Sequence, residues 1–269
     1  MLRFARKSLE IASKHYILDL SNILNFGLAM IFKQLFDDET STLTYILVDP
    51  VTRDAVIIDP VLGQDKRDLA ALNELNANLK YIAETHIHAD HVTGARALKE
   101  ATGCKFISGV GTGITCGDKL MEEGEVINFG HEVLYATLTP GHTDGCTTYR
   151  WRNRLFTGDT LLIGACGRTD FQQGSAERLY DSLQKLLSYP DEYLVYPAHD
   201  YNNHRVSSIG QERISNPYLV DLDRDGFIEK MNNLNLPNPA KIDIAVPANM
   251  VCGTDERGEL DTRVVEHSA

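Results

Sequence analysis

The sequence predicts an α/β fold: two mixed β-sheets packed face to face with helices outside, an αββα sandwich. Three observations point to it. Strand-like runs followed by helical stretches occur in two successive halves of the chain. Short segments bearing His and Asp follow directly on several of those strands, which places them together at one rim of such a sandwich. The chain has 269 residues, 43% of them hydrophobic and 24% charged, which suffices for a sizeable core and excludes a disordered or fibrous class.

Taken in order, residues 43–48 and 55–58 are β-rich runs around a turn at 49–54. Leu69, Leu72 and Leu75 recur at helical spacing and predict a helix over 65–78. A strand at 80–84 feeds into Thr85-His86-Ile87-His88-Ala89-Asp90-His91, followed by a helix at 92–101 and a strand at 104–108. The second half carries strands at 125–129, 132–138, 146–151 and 154–157. A helix over 175–187 follows, with Ser175 as its N-cap and Leu179, Leu183, Leu186 and Leu187 on one face. A last strand, 193–196, ends in Pro197-Ala198-His199-Asp200, and the C-terminal part reads as helical and Asn-rich, then as Pro-punctuated coil. The folded domain is read as residues 30–255, with 256–269 a tail. Residues 1–29 are an N-terminal extension, either a targeting segment or an upstream start ahead of Met30.

Charge and composition exclude several partners. Lys plus Arg is 26 and Asp plus Glu is 38, a net charge of −12, which disfavours phosphate backbones and anionic membranes. The longest uncharged stretch near the start, 20–32, is 13 residues long and includes Asn22 and Asn25, whereas a membrane span needs about 20 apolar residues. Glu10, Lys14 and Asp19 interrupt any secretory h-region. Arg3, Arg6, Lys7 and Lys14 outnumber the two acids there and allow a mitochondrial presequence. The expected location is the cytoplasm of a bacterium or the mitochondrial matrix of a eukaryote. Five cysteines, with no C-x-x-C, are expected to be free and mostly buried thiols of a reducing compartment.

The chemistry lies in the histidines. His is nine of 269 residues, so H-I-H-A-D-H at 86–91 arises by chance on the order of once in several hundred thousand positions, and it marks a site. It follows a strand and enters a turn, so several imidazoles can converge. Imidazole and carboxylate are the ligand set of Zn, Fe or Mn. Thr139-Pro140-Gly141-His142 and Thr157-Gly158-Asp159 repeat the geometry, each with a Gly that permits a sharp turn, and His199 is a fourth residue of the same kind.

The order His86, His88, Asp90, His91, then His142, Asp159 and His199 resembles the metallo-β-lactamase superfamily over roughly residues 31–250. The resemblance implies its αββα fold with a metal at the sheet edge. In binuclear members the first metal takes the positions of His86, His88 and His142, the second those of Asp90, His91 and His199, and Asp159 bridges. The presence of all seven does not decide between one metal and two. Residues 156–174, with 196–201, 233–237 and 247–253, are more narrowly similar to the persulfide dioxygenases. That resemblance implies oxidation of glutathione persulfide by O₂ to sulfite and glutathione at one Fe(II) per chain. The ligands would be His86, His142 and Asp159, with His88, Asp90, His91 and His199 supporting them. Arg168 and Tyr201 would bind the glutathione moiety, and a homodimer is implied. A two-His, one-carboxylate set leaves coordination positions open for substrate.

Rival readings remain. A hydroxyacylglutathione hydrolase shares the seven positions and would use a binuclear site, but only 60 residues follow Ile209, short for its helical C-terminal domain. A metal- or thiol-sensing module of the same fold would not need open coordination positions, and a nuclease is disfavoured by the charge. Gly109–Gly113 lacks the setting and the Lys of a phosphate loop. The run 221–226 opens like an EF-hand but places Asn232 where a bidentate Glu is needed, so it reads as a helix start. Cys252 matches a cysteine near the C-terminus of the family it resembles, and the sequence leaves redox chemistry and packing both open, with packing favoured.

Overall fold

The computed structural model describes residues 30–253, so the readings on 1–29 and on the 256–269 tail lie outside the described residues. The first sheet grows from β2 (Thr42–Val48) and β3 (Asp54–Ile58), antiparallel with Tyr45 opposite Ile58. Asp49 closes their turn by accepting from Val51 N and Thr52 Oγ1. β1 (Ile31–Asp37), not foreseen in the sequence, lies antiparallel on β2 at the edge. Crossovers through α1 (Asp65–Glu74) and α2 (Ala95–Thr102) then lay β4 (Asn78–Ala83) and β5 (Lys105–Gly109) parallel to β3 and to each other. A short β6 (Lys119–Met121) completes the order β1-β2-β3-β4-β5-β6.

The second sheet is an antiparallel meander of β7 (Val126–Phe129), β8 (Glu132–Leu138), β9 (Thr147–Trp151) and β10 (Arg154–Gly158). Helix α3 (Ala176–Leu187) crosses over to β11 (Leu194–Pro197), parallel to β10, and β12 (Ser207–Ser208) lies at the edge. Ser175 caps α3 as expected, its side chain accepting from Arg178 N. The remaining helices are α4 (Ile209–Ser215), α5 (Arg224–Asn232) and α6 (Ile242–Met250). Asp223 caps α5 by accepting from Gly226 N, which makes the 221–226 run a helix start.

Strand alternation sorts side chains into three layers. Tyr45, Phe156 and Tyr196 meet between the sheets, with Tyr45 4.9 Å from Phe156 between ring centroids. Ile46, Val48 and Ile57 face outward onto Leu72 and Leu98 of α1 and α2. Leu155 and Val195 face outward onto Leu179, Leu183 and Leu186 of α3 and Phe227 of α5. Burying each such side chain contributes about 1.5–3 kcal/mol.

Four expectations need correction. The first helix ends at Glu74 because Asn76 takes φ +48° and the chain turns into β4. The second begins only at Ala95, because the backbone at Thr93 and Gly94 is pinned to Asn249 and to Pro60 O. Part of the C-terminal coil is α6, with Pro247 inside it, held by Ala245 and Ala248 packing on Val92. The expectation of five free thiols also fails. Cys116 and Cys252 form a disulfide with Cα atoms 6.0 Å apart, while Cys104, Cys146 and Cys166 are free and buried. The two bonded cysteines are 136 residues apart and only the fold brings them together.

Candidate metal centre and substrate cavity

The rim above β4, β10 and β11 assembles the histidines through a short chain of backbone anchors. Asp59, just past β3 at φ +51° and fully buried, accepts from Thr85 N and Thr85 Oγ1 at 2.8 Å each. With its proton given to Asp59, the Thr85 hydroxyl can only accept from His86 Nδ1, 2.9 Å away, which leaves the other ring nitrogen as a ligand. His142 is set the same way: Nδ1 donates to Arg168 O at 2.7 Å. Gly158 turns the chain at φ +56°, and a Cβ there would come within 2.8 Å of Thr85. The turn delivers Asp159, whose Oδ2 lies 3.7 Å from His142 Nε2 and whose buried Oδ1 has no hydrogen-bond partner among the described residues.

His86, His142 and Asp159 therefore bring one donor atom each within 4.8 Å of one another. Burial, reinforced by the neighbouring His88, His142 and His199, holds His86 well below the ordinary imidazole value, so it presents a lone pair. Two buried imidazoles and a carboxylate oxygen lacking a partner fit a divalent metal ion.

The other four predicted residues pack around this trio in different ways. His88 Nε2 lies 3.4 Å from both Asp59 Oδ1 and Glu84 Oε2. Burial works against charge on His88, but those two carboxylates hold it well above the usual imidazole range. Asp90 Oδ2 lies 3.0 Å from His91 Nδ1 and 3.7 Å from His199 Nε2. Burial opposes its ionisation, yet His199 and His91 bring its carboxyl well below the usual range. Burial lowers His91. His88, Asp90 and His91 also come within 4.8 Å, as do Asp59, Glu84 and His88, so His88 is shared between two groupings.

A cavity of about 620 Å³ opens over the trio, with His86, Asp90, His142, Asp159 and His199 at its floor. Arg168 and Tyr201 both line it. Tyr201 is 65% exposed and lies parallel to the His199 ring at 5.6 Å. The Arg168 fork is largely committed: Nε and Nη2 donate to Asp170 at 2.7 and 2.6 Å, Nη1 to Pro237 O, and Nη2 to Leu236 O. One of its five N–H groups is left over.

Sequence reading missed two anchors. Asp59 is one. The other is Asn249 of α6, buried, which donates from Nδ2 to His88 O and His91 O at 2.9 Å each and accepts from Thr93 N at 2.8 Å. The only sequence signal for Asn249 was its place in the 247–253 stretch that carries the resemblance.

Comparison with known proteins agrees with this architecture. The metallo-beta-lactamase superfamily model matches residues 37–199. The mitochondrial persulfide dioxygenase ETHE1 of Mus musculus is 46% identical over 231 residues, 84% of this chain and 90% of its own. The crystal structure of ETHE1 from Myxococcus xanthus superposes with a TM-score of 0.82 at 48% identity, covering 83% of this chain and 100% of that one. The hydroxyacylglutathione hydrolase of Tolumonas auensis is 33% identical over 78% of this chain and 82% of its own. On this fold, this site and these relatives, the chain belongs to the metallo-β-lactamase superfamily and, within it, to the persulfide dioxygenases.

Proposed function

We propose that this chain oxidises glutathione persulfide with O₂, at one iron(II) held by His86, His142 and Asp159. The observation that carries the reading is the identity of 46–48% to persulfide dioxygenases over more than four fifths of the chain, against 33% to a hydrolase of the same fold. The net reaction takes the sulfane sulfur to sulfite and releases glutathione, with one water supplying the third oxygen. When bound, the iron supplies the one-electron steps that O₂ chemistry on a closed-shell thiolate requires.

This chain's residues do the rest. Thr85 and the Arg168 carbonyl set the ring orientations of His86 and His142. Asp90, His91 and His199 support the trio from one side, and His88, engaged by Asp59 and Glu84, from another. The cavity is large enough for a tripeptide thiol. Arg168 and Tyr201 contact the glutathione moiety. Arg168 does so with its remaining N–H or by exchanging Asp170 for a substrate carboxylate, and a homodimer is the expected assembly.

Metal analysis with O₂ uptake tests the proposal. Purified protein should hold close to one iron per chain and consume O₂ with glutathione persulfide. Two zinc ions per chain, with thioester hydrolysis and no O₂ consumption, would turn the assignment to the hydrolase.

A further inference from the structure

We propose that the Cys116–Cys252 disulfide is a thiol-exchange site, and that its state sets how firmly α6 holds the metal-site segment 88–93. The bond lies against a second cavity, of about 320 Å³, whose lining includes Arg96, Lys99, Glu100, Phe106, Cys116 and Cys252. Both cysteines are half-buried, so a small thiol that fits the cavity reaches the sulfurs without unfolding the chain. Arg96 pairs with Glu100 and Lys99 with Asp118, all four partly exposed, so either cation can exchange its partner for a carboxylate. The chemical class indicated is a low-molecular-weight thiol carrying carboxylates.

The step balances as ordinary exchange. A thiolate attacks Cys252 Sγ. The Sγ–Sγ bond breaks, and Cys116 leaves as a thiolate and takes a proton from solvent. A second thiolate then attacks the mixed disulfide at its external sulfur, forming the small-molecule disulfide and freeing Cys252. Two thiols are oxidised and one protein disulfide is reduced. The same small-molecule disulfide is the oxidant that reverses the step.

The consequence follows from position. The disulfide ties the turn between β5 and β6 to the end of α6, where Thr115 N also donates to Met250 O. Three residues before Cys252, Asn249 holds His88 O, His91 O and Thr93 N. Cys252 itself sits at φ +61°, which a non-glycine residue rarely adopts, so cutting the cross-link lets this turn relax. Opening the bond thus loosens the side chain that pins the His88–Thr93 backbone. The exchange chemistry stands apart from the dioxygenase reading, while the importance of the 88–93 segment rests on it.

The test uses the full chain under native conditions, in buffers of varied reduced and oxidised glutathione, read by alkylation mass and amide hydrogen exchange. Oxidised buffer should give no alkylation. Excess reduced glutathione should give a transient adduct of one glutathione and then two alkylated thiols, the three buried cysteines staying unreacted. Exchange at residues 88–93 and 248–253 should accelerate roughly threefold or more and return on reoxidation. Cys116→Ser should show the faster exchange in every buffer; if that variant does not fold, the titration of the unaltered protein decides. A bond that resists millimolar thiol in the native state, or one that opens with the 88–93 amides unchanged, overturns the proposal. Loss of O₂ uptake alone, with these readouts as expected, counts against the dioxygenase reading and not against this one.

Discussion

Asn249→Ala should destabilise this protein more than its place in the sequence, remote from every predicted ligand, suggests. The side chain makes three hydrogen bonds to backbone groups of the metal segment, from Thr93 N and to His88 O and His91 O, all of 2.8–2.9 Å and all buried. Alanine leaves one N–H and two carbonyls without partners. Each orphaned buried group costs about 1–3 kcal/mol. Partial relaxation of a loop of this kind brings the sum to roughly 3–6 kcal/mol, against a typical total stability of about 5–15 kcal/mol. For a domain of this size that is a fall in Tm of about 6–24 °C. Urea denaturation of the metal-free protein measures it without interference from ligand binding, and metal content after dialysis reports the site. A destabilisation below about 1 kcal/mol, with metal retention unchanged, would show that these bonds do not organise the segment.

Three further outcomes are expected. Asp159→Ala should abolish metal retention, because it removes the one anionic donor of the trio, whereas His91→Ala should keep most of its metal and lose about 10- to 100-fold in activity; equal metal loss in the two variants would refute the mononuclear assignment. Arg168→Ala should raise KM for the persulfide about ten- to a hundred-fold with metal content nearly unchanged, and an unchanged KM would remove Arg168 from the substrate site. Burial pushes Asp68 up to about 6, so the native state holds a proton that the unfolded chain releases near pH 4, and stability falls as pH rises through that window. Asp68→Asn should therefore gain on the unaltered protein between pH 4 and 7, by up to roughly 3 kcal/mol in equilibrium unfolding, and a difference that stays flat with pH would show that the carboxyl does not carry the burial cost.

Elements with a local signature were legible, either a continuous β-rich run as in the fully buried β2 or a helical spacing of apolar residues as in α3. Residues 43–48, 132–138 and 175–187 are cases in which expected and observed elements nearly coincide. Edge strands were not: β1, with almost every residue half-buried, and the two-residue β12 show no alternation to read. Pro247 in the sequence argued for coil, yet packing on Val92 carries the helix through it.

By itself the sequence determined the α/β sandwich, the cluster at 86–91, and the positions of His142, Asp159 and His199, because each lies just past a strand end, where glycines and turns aim side chains off the sheet. Only the tertiary structure decided what each residue faces. It put His88 against Asp59, tied the Arg168 fork to Leu236 O and Pro237 O, set Asn249 beneath the metal segment, and joined Cys116 to Cys252 across 136 residues. Those are contacts between segments far apart in the chain. Their geometry comes from how two sheets and six helices pack among the described residues, and no local pattern encodes it.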